Sequence, residues 1–161
     1  MPDTIARDGP LGAAPPDPPR TTRGRSGLAT RLAAGLAALA AVLAVSELVV
    51  QGTRWQRRVA DNAVALTGGD PTRGLALIER VGCGACHEIP GARGLASGRV
   101  GPSLAGFSTR AYVGGVAPNQ PEHLVRWLIN PRALSPRTAM PALGLDEDQA
   151  RDVAAYLYTL G

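Results

Sequence analysis

Two thiols three residues apart, followed at once by an imidazole, form the most chemically pointed stretch of the chain: Cys83-Gly84-Ala85-Cys86-His87. Covalent attachment of a c-type haem needs this set, because the two cysteines add to the two vinyl groups and the adjacent histidine reaches the iron. Other uses of the pair fit less well. A thioredoxin-like pair wants a βαβ context, which the Gly/Pro-rich flanks do not supply. A four-ligand zinc site wants a second pair of ligands, and the only other histidine is His123. A disulfide across two residues closes too small a loop to stabilise much. The motif therefore predicts one covalent haem c, with Cys83 and Cys86 as thioether sites and His87 as an axial ligand.

A haem held through His87 has a sixth coordination position, and its occupant separates an electron carrier from a catalyst. The chain has two methionines, Met1 in the N-terminal tail and Met140, which stands 53 residues after His87 and just before Pro141. Met140 lies outside any amphipathic repeat, in a segment with little other apolar content, which favours the ligand role over core filling. His123 is the rival, and its place near a helix start away from the apolar residues reads as solvated surface. A thioether is a neutral, soft ligand that favours Fe(II). With both axial positions filled by protein there is no room for substrate, so the expected activity is one-electron transfer rather than enzymatic turnover. The alternative is a haem-based sensor or peroxidase-like protein in which Met140 dissociates, and no distal set of histidine, arginine and acid near Met140 supports it.

The elements that must position these groups follow from periodicity and caps. Asp70 caps a helix with Pro71 in its first turn, which carries Leu75, Leu77 and Ile78 to a stop at Gly82 and so delivers Cys83 directly. Residues 88–118 are the least regular part, about 30 residues rich in glycine and proline, acceptable in a compact domain when the loop packs on a large cofactor. Asn119 with Glu122 three residues later reads as the cap of a helix that must stop before Pro131. Leu124, Val125, Leu128 and Ile129 are its buried side. Trp127 belongs there too, and its indole N–H needs a partner, either a haem propionate or a core carbonyl. Residues 131–141 read as a proline-punctuated loop. The last helix opens with Asp146 as cap and Gln149 three residues on, and its apolar face is Ala150, Val153, Ala154, Leu157 and Leu160.

Upstream, residues 1–27 hold six prolines and no apolar periodicity and are expected to be a disordered tail. Leu32 to Val50 is apolar except for Gly35, Ser46 and Glu47, and as a helix it spans about 28 Å, enough for a bilayer core. The segment 28–50 is thus a transmembrane anchor or a signal peptide with a Val42-Leu43-Ala44 site, and the apolar run past that site favours an uncleaved anchor. Residues 51–69 carry Val59, Ala63 and Leu66 at helical spacing before Gly68-Gly69, which reads as a tether continuing the helix. Residues 70–161 are the haem domain.

All 17 basic residues are arginine, against 13 acids, a formal charge of +4. From Val59 onward nine arginines meet nine acids, so the excess lies before it, in Arg20, Arg23, Arg25 and Arg31 on one flank of the apolar run and Arg54, Arg57 and Arg58 on the other. That pattern suits membrane flanks and excludes a nucleic-acid-binding face on the folded part. The arginine bias is too even to orient the chain. Covalent haem attachment orients it instead, with the part after Val50 in the periplasm of a bacterial cell and the tail in the cytoplasm.

The chain resembles the class I cytochromes c from about Asp70 to Leu160. The likeness rests on CGACH, on Val100-Gly101-Pro102-Ser103-Leu104, on Thr138-Ala139-Met140-Pro141, and on the closing helix with Tyr156. It implies an all-α fold of three to five helices around one covalent haem, here with one N-terminal transmembrane helix. It also implies that Gly74 or Ile78 meets Tyr156 where the first and last helices cross, that Pro102 accepts the N–H of His87, and that Leu104 packs on the haem. Residues 101–145 are similar to the haem domain of membrane-bound cytochromes c and of that fused to subunit II of some haem-copper oxidases. No copper-site sequence is present, so the resemblance implies a separate carrier or a small accessory subunit. Its expected partners are the membrane, a quinol-oxidising complex or periplasmic dehydrogenase, and a terminal oxidase, with no small-molecule substrate. The lysine-rich docking face of the family is absent.

Overall fold

The structure, a computed structural model, describes residues 26–93 and 98–161. The tail expected for residues 1–27 lies outside the described residues as far as residue 25, as do Arg20, Arg23, Arg25 and Gly94. Two units are distinguished, Met1–Ser46 and Glu47–Gly161. Helix α1 (Ser26–Thr67) begins in the first and ends in the second, and its apolar side chains Leu32, Leu36, Leu39 and Leu43 are all exposed. Among the described residues α1 is the one helix long and apolar enough to cross a membrane, a property that an anchor and a signal sequence share.

The regular elements described in the second unit are helices apart from one small hairpin. It contains α2 (Pro71–Val81), β1 (Tyr112–Val113), β2 (Ala117–Pro118), α3 (Pro121–Ile129), α4 (Pro131–Leu134) and α5 (Glu147–Tyr158), with single 3₁₀ turns at Cys83–Ala85 and Phe107–Thr109. Two of the three caps expected from the sequence form. Asp70 Oδ1 accepts from the N–H groups of Thr72 (2.7 Å) and Arg73 (3.2 Å), and Gly82 closes α2. Asp146 and Gln149 make the reciprocal capping box of α5, at 2.8 Å and 3.2 Å.

Three expectations need correcting. Asn119 does not cap α3: the helix begins at Pro121 with Gln120 as its cap residue, and the Asn119 amide instead donates to the Phe107 and Arg110 carbonyls, both at 3.0 Å. Residues 131–134 are not loop but the short helix α4, because Pro131 suits a first helical position and the Asn130 side chain accepts from Ala133 N–H. His123 is half-buried, its Nδ1 3.0 Å from the Pro118 carbonyl, rather than freely solvated.

The core sits where α2 and α3 pack on α5, with Ile78, Leu124 and Val153 fully buried. The helices α2 and α5 cross at Gly74: a Cβ there would overlap the Asp152 carbonyl and come within 3.1 Å of the Tyr156 Cβ. Of the two residues expected to meet Tyr156, Gly74 therefore makes this close approach. The buried carboxylate of Asp152 closes the crossing. It accepts from the Asp70 N–H (2.7 Å) and is gripped at both oxygens by the Arg73 guanidinium (2.8 and 2.9 Å). Thr67 at the end of α1 is buried as well, and its carbonyl accepts from Arg151 Nη1 at 3.1 Å.

The Arg73 hydrogen bond holds the Asp152 carboxyl below the usual carboxylate range, aided by the Asp70 N–H and opposed by burial. A depressed native pKa contributes stability above the unfolded value, near 4, that is lost as pH falls through the native value. Asp152→Asn should therefore be less stable than the native domain at pH 7, with the difference closing below about pH 4. Thermal melts across that range check this, and a gap that persists undiminished at low pH would contradict it.

Candidate haem site

The end of α2 runs through Gly82 into the 3₁₀ turn Cys83–Ala85, which presents both thiols to one cleft. Cys83 is half-buried and Cys86 exposed. Burial pushes the Cys83 thiol above its ordinary value. The Cys83 carbonyl accepts from the Cys86 N–H (3.2 Å) and the His87 N–H (3.0 Å), which fixes the motif as one turn.

His87 is oriented by what surrounds it. Its Nδ1 lies 2.7 Å from the Pro102 carbonyl. A carbonyl can only accept, so Nδ1 donates and in the neutral imidazole Nε2 holds the lone pair. The following loop is clipped beneath the motif, with Gly101 N–H donating to Cys86 O and Leu104 N–H to Glu88 O, both at 2.8 Å. A Cβ at residue 101 would run into the His87 ring, so the loop passes this close only because residue 101 is glycine.

The cleft has a volume of about 350 Å³. Its walls are mostly apolar: α2 contributes Ile78, α3 contributes Leu124 and Leu128, and α5 contributes Val153 and Leu157. Pro102 and Leu104 line it from the loop after His87. Met140 lines the same cleft, half-buried, from the loop between α4 and α5. The Met140 N–H donates to Thr138 Oγ1 at 3.2 Å. Trp127 is buried on α3 and also reaches the cleft, and among protein groups its indole N–H meets a sulfur rather than a core carbonyl. It donates to Met140 Sδ at 3.1 Å.

All seven residues singled out in the sequence, Cys83, Cys86, His87, Pro102, Leu104, Trp127 and Met140, thus line one cleft. The sequence reading missed Arg110, which is half-buried at the same cleft, stacked over the Phe107 ring at 5.6 Å. Its Nη2 donates to the carbonyls of Ser103 and Ala105. An arginine in an irregular stretch carries no periodic signal, so nothing in the single sequence distinguished it from a surface charge. The donor set suits a planar iron cofactor: two thiols on one turn for its edge, an imidazole with a free Nε2, a thioether, apolar walls, and a cation for acidic substituents.

The sequence model of the family described as Cytochrome c matches residues 72–161. A comparison with curated proteins gives no significant match. With more than half its length matched, and with a cleft whose donors fit the cofactor, the chain belongs to the cytochrome c family, whose domain carries covalent haem c and transfers electrons through it.

Proposed function

We propose that the chain is a membrane-anchored monohaem electron carrier in which Cys83 and Cys86 bond the haem while His87 and Met140 supply its axial ligands. The observation that carries this reading is that an imidazole with a free Nε2 and a thioether line the same cleft as the two thiols. Haem c when bound supplies an Fe(III)/Fe(II) couple that gains and loses one electron. The chain's own residues set the conditions for it. Pro102 holds the proton of His87 on Nδ1, keeping Nε2 basic. Ile78, Leu124, Leu128 and Val153 exclude water, and Leu104 and Trp127 complete the wall. Arg110 brings a positive charge for the carboxylates of the cofactor.

Residues 28–50 anchor the protein in the bacterial cytoplasmic membrane, residues 51–69 link the anchor to the domain, and the domain, residues 70–161, lies in the periplasm. Electrons come from a quinol-oxidising complex or a periplasmic dehydrogenase and pass toward a terminal oxidase. Anchoring raises the effective concentration of the domain near such membrane-bound partners. Sensor or peroxidase chemistry would require Met140 to leave, and the bonds of its N–H to Thr138 and its sulfur to Trp127 oppose that.

Met140→Ala tests the ligand assignment. The variant should still stain for covalent haem on a denaturing gel but lose the methionine-to-iron charge-transfer band of the ferric protein. It should bind cyanide rapidly, and its reduction equilibrium should fall by about tenfold or more, that is by at least about 59 mV. An unchanged potential with slow cyanide binding would remove Met140 from the iron.

A further inference from the structure

Arg54, Arg57 and Arg58 stand just past the apolar run of α1, and all three are exposed. By helical periodicity they share one side of α1, within an arc of about 100°. Val59, Ala63 and Thr67 share the other side, centred about 170° away. That second side is the one turned to the haem domain: Ala63 and Thr67 are buried, Val59 is half-buried, and the Thr67 carbonyl is held by Arg151. The three guanidinium groups therefore face away from the domain. Among the described residues none of the three makes an ion pair or a side-chain hydrogen bond, not even with Asp61 one turn further along the same side.

Their height on the helix matters as much as their side. At a rise of about 1.5 Å per residue, Arg54 lies about 6 Å and Arg58 about 12 Å beyond Val50, where the apolar run ends. The polar layer on each face of a bilayer is about 5–8 Å deep. Arg54 falls within it, and the long side chains of Arg57 and Arg58 reach back into it, because helical side chains lean toward the N-terminus. Trp55 beside them is 69 % exposed, and tryptophan settles at this same depth. Arginine is not the default residue there. In the orientation proposed above this is the outer flank, whereas the positive-inside bias gathers arginine on the cytoplasmic one.

We propose that Arg54, Arg57 and Arg58 form a binding face for anionic phospholipid headgroups in the outer leaflet, where α1 leaves the bilayer. This rests on the reading of residues 28–50 as an anchor. A guanidinium is a planar fork of donors that matches phosphate oxygens. A zwitterionic headgroup carries the same phosphate together with its own cation, which competes with the guanidinium, so the face selects lipids of net negative charge.

The test places the full-length holoprotein in phosphatidylcholine vesicles that contain brominated phosphatidylglycerol or, in a parallel sample, brominated phosphatidylcholine. Bromine quenches a tryptophan that it touches. Trp55 lies at the proposed face, while Trp127 is buried in the domain. Both samples carry the same haem, so quenching by the cofactor cancels in the comparison. The native protein should prefer the anionic lipid by at least about fivefold, the worth of one arginine at an anionic surface, and the preference should shrink as salt is raised. The triple variant Arg54→Gln, Arg57→Gln, Arg58→Gln should lose the preference and keep its quenching by brominated phosphatidylcholine. Lysine at the same three positions should retain most of it, which separates charge at the face from a defect in insertion. Equal quenching of the native protein by the two lipids, or a preference that survives in the glutamine variant, would overturn the proposal. Absence of quenching by either lipid would overturn it by a different route, through the anchor reading itself.

Discussion

The double variant Cys83→Ala, Cys86→Ala is expected to show no covalent haem staining and to lose the cooperative thermal transition of the haem domain. The size of the effect follows from the cleft. Its 350 Å³ is bounded by Ile78, Leu124, Leu128 and Val153, side chains that form the centre of the core. Without the cofactor these apolar walls are left to water, and domains of this size have total stabilities of only ~5–15 kcal/mol. The rest of the core offers little reserve. The chain has two tryptophans, three tyrosines and one phenylalanine, and α2, α3 and α5 are short helices that depend on packing. Circular dichroism melts and tryptophan fluorescence of the apoprotein check this. A sharp transition within a few degrees of the holoprotein would mean that the protein core alone holds the fold.

How much of this was legible in the sequence depended on how local each determinant is. The attachment motif was legible because its chemistry is complete within five residues, and Met140 as a residue of the same cleft because the chain offers so few soft ligands. The caps at Asp70 and Asp146 were legible for the same reason, since their hydrogen bonds span two or three residues. Asn119 has the same local pattern and was misread. Its amide is claimed by the carbonyls of Phe107 and Arg110, 12 and 9 residues upstream, and no helical pattern announces that competition. The ion pair of Arg73 with Asp152 joins residues 79 apart. In the sequence each looks like an ordinary charge on a helix. The sequence left the partner of the Trp127 N–H open, because a tryptophan signals the need for a partner but not its identity. The helix α4 was hidden because Pro131 and Pro136 read as breaks, although a proline at a first helical position is an ordinary start.

The crossing of α2 and α5 gives the sharpest test of the fold, because the tertiary structure reverses the sign that helix propensity assigns. In an exposed helix interior, Gly→Ala stabilises by about 1 kcal/mol. Gly74 lies inside α2, but a methyl group there would overlap the backbone carbonyl of Asp152, an atom that cannot rotate away. The helices must separate, and separation stretches the Arg73 and Asp70 bonds to Asp152 and loosens Ile78 against Val153. Overpacking of this kind costs ~3 kcal/mol, so Gly74→Ala should lower the melting temperature by roughly 12–24 °C. The damage should extend to the haem site, because α2 ends at Gly82 beside Cys83 while α5 supplies Val153 and Leu157 to the cleft. Gly52→Ala is the matched control: it also lies within a helix, α1, but a methyl there meets nothing within 4 Å. That variant should melt at or above the native temperature. If Gly74→Ala did the same, the close crossing would be wrong, and with it the placement of α2 that carries Cys83 into the cleft.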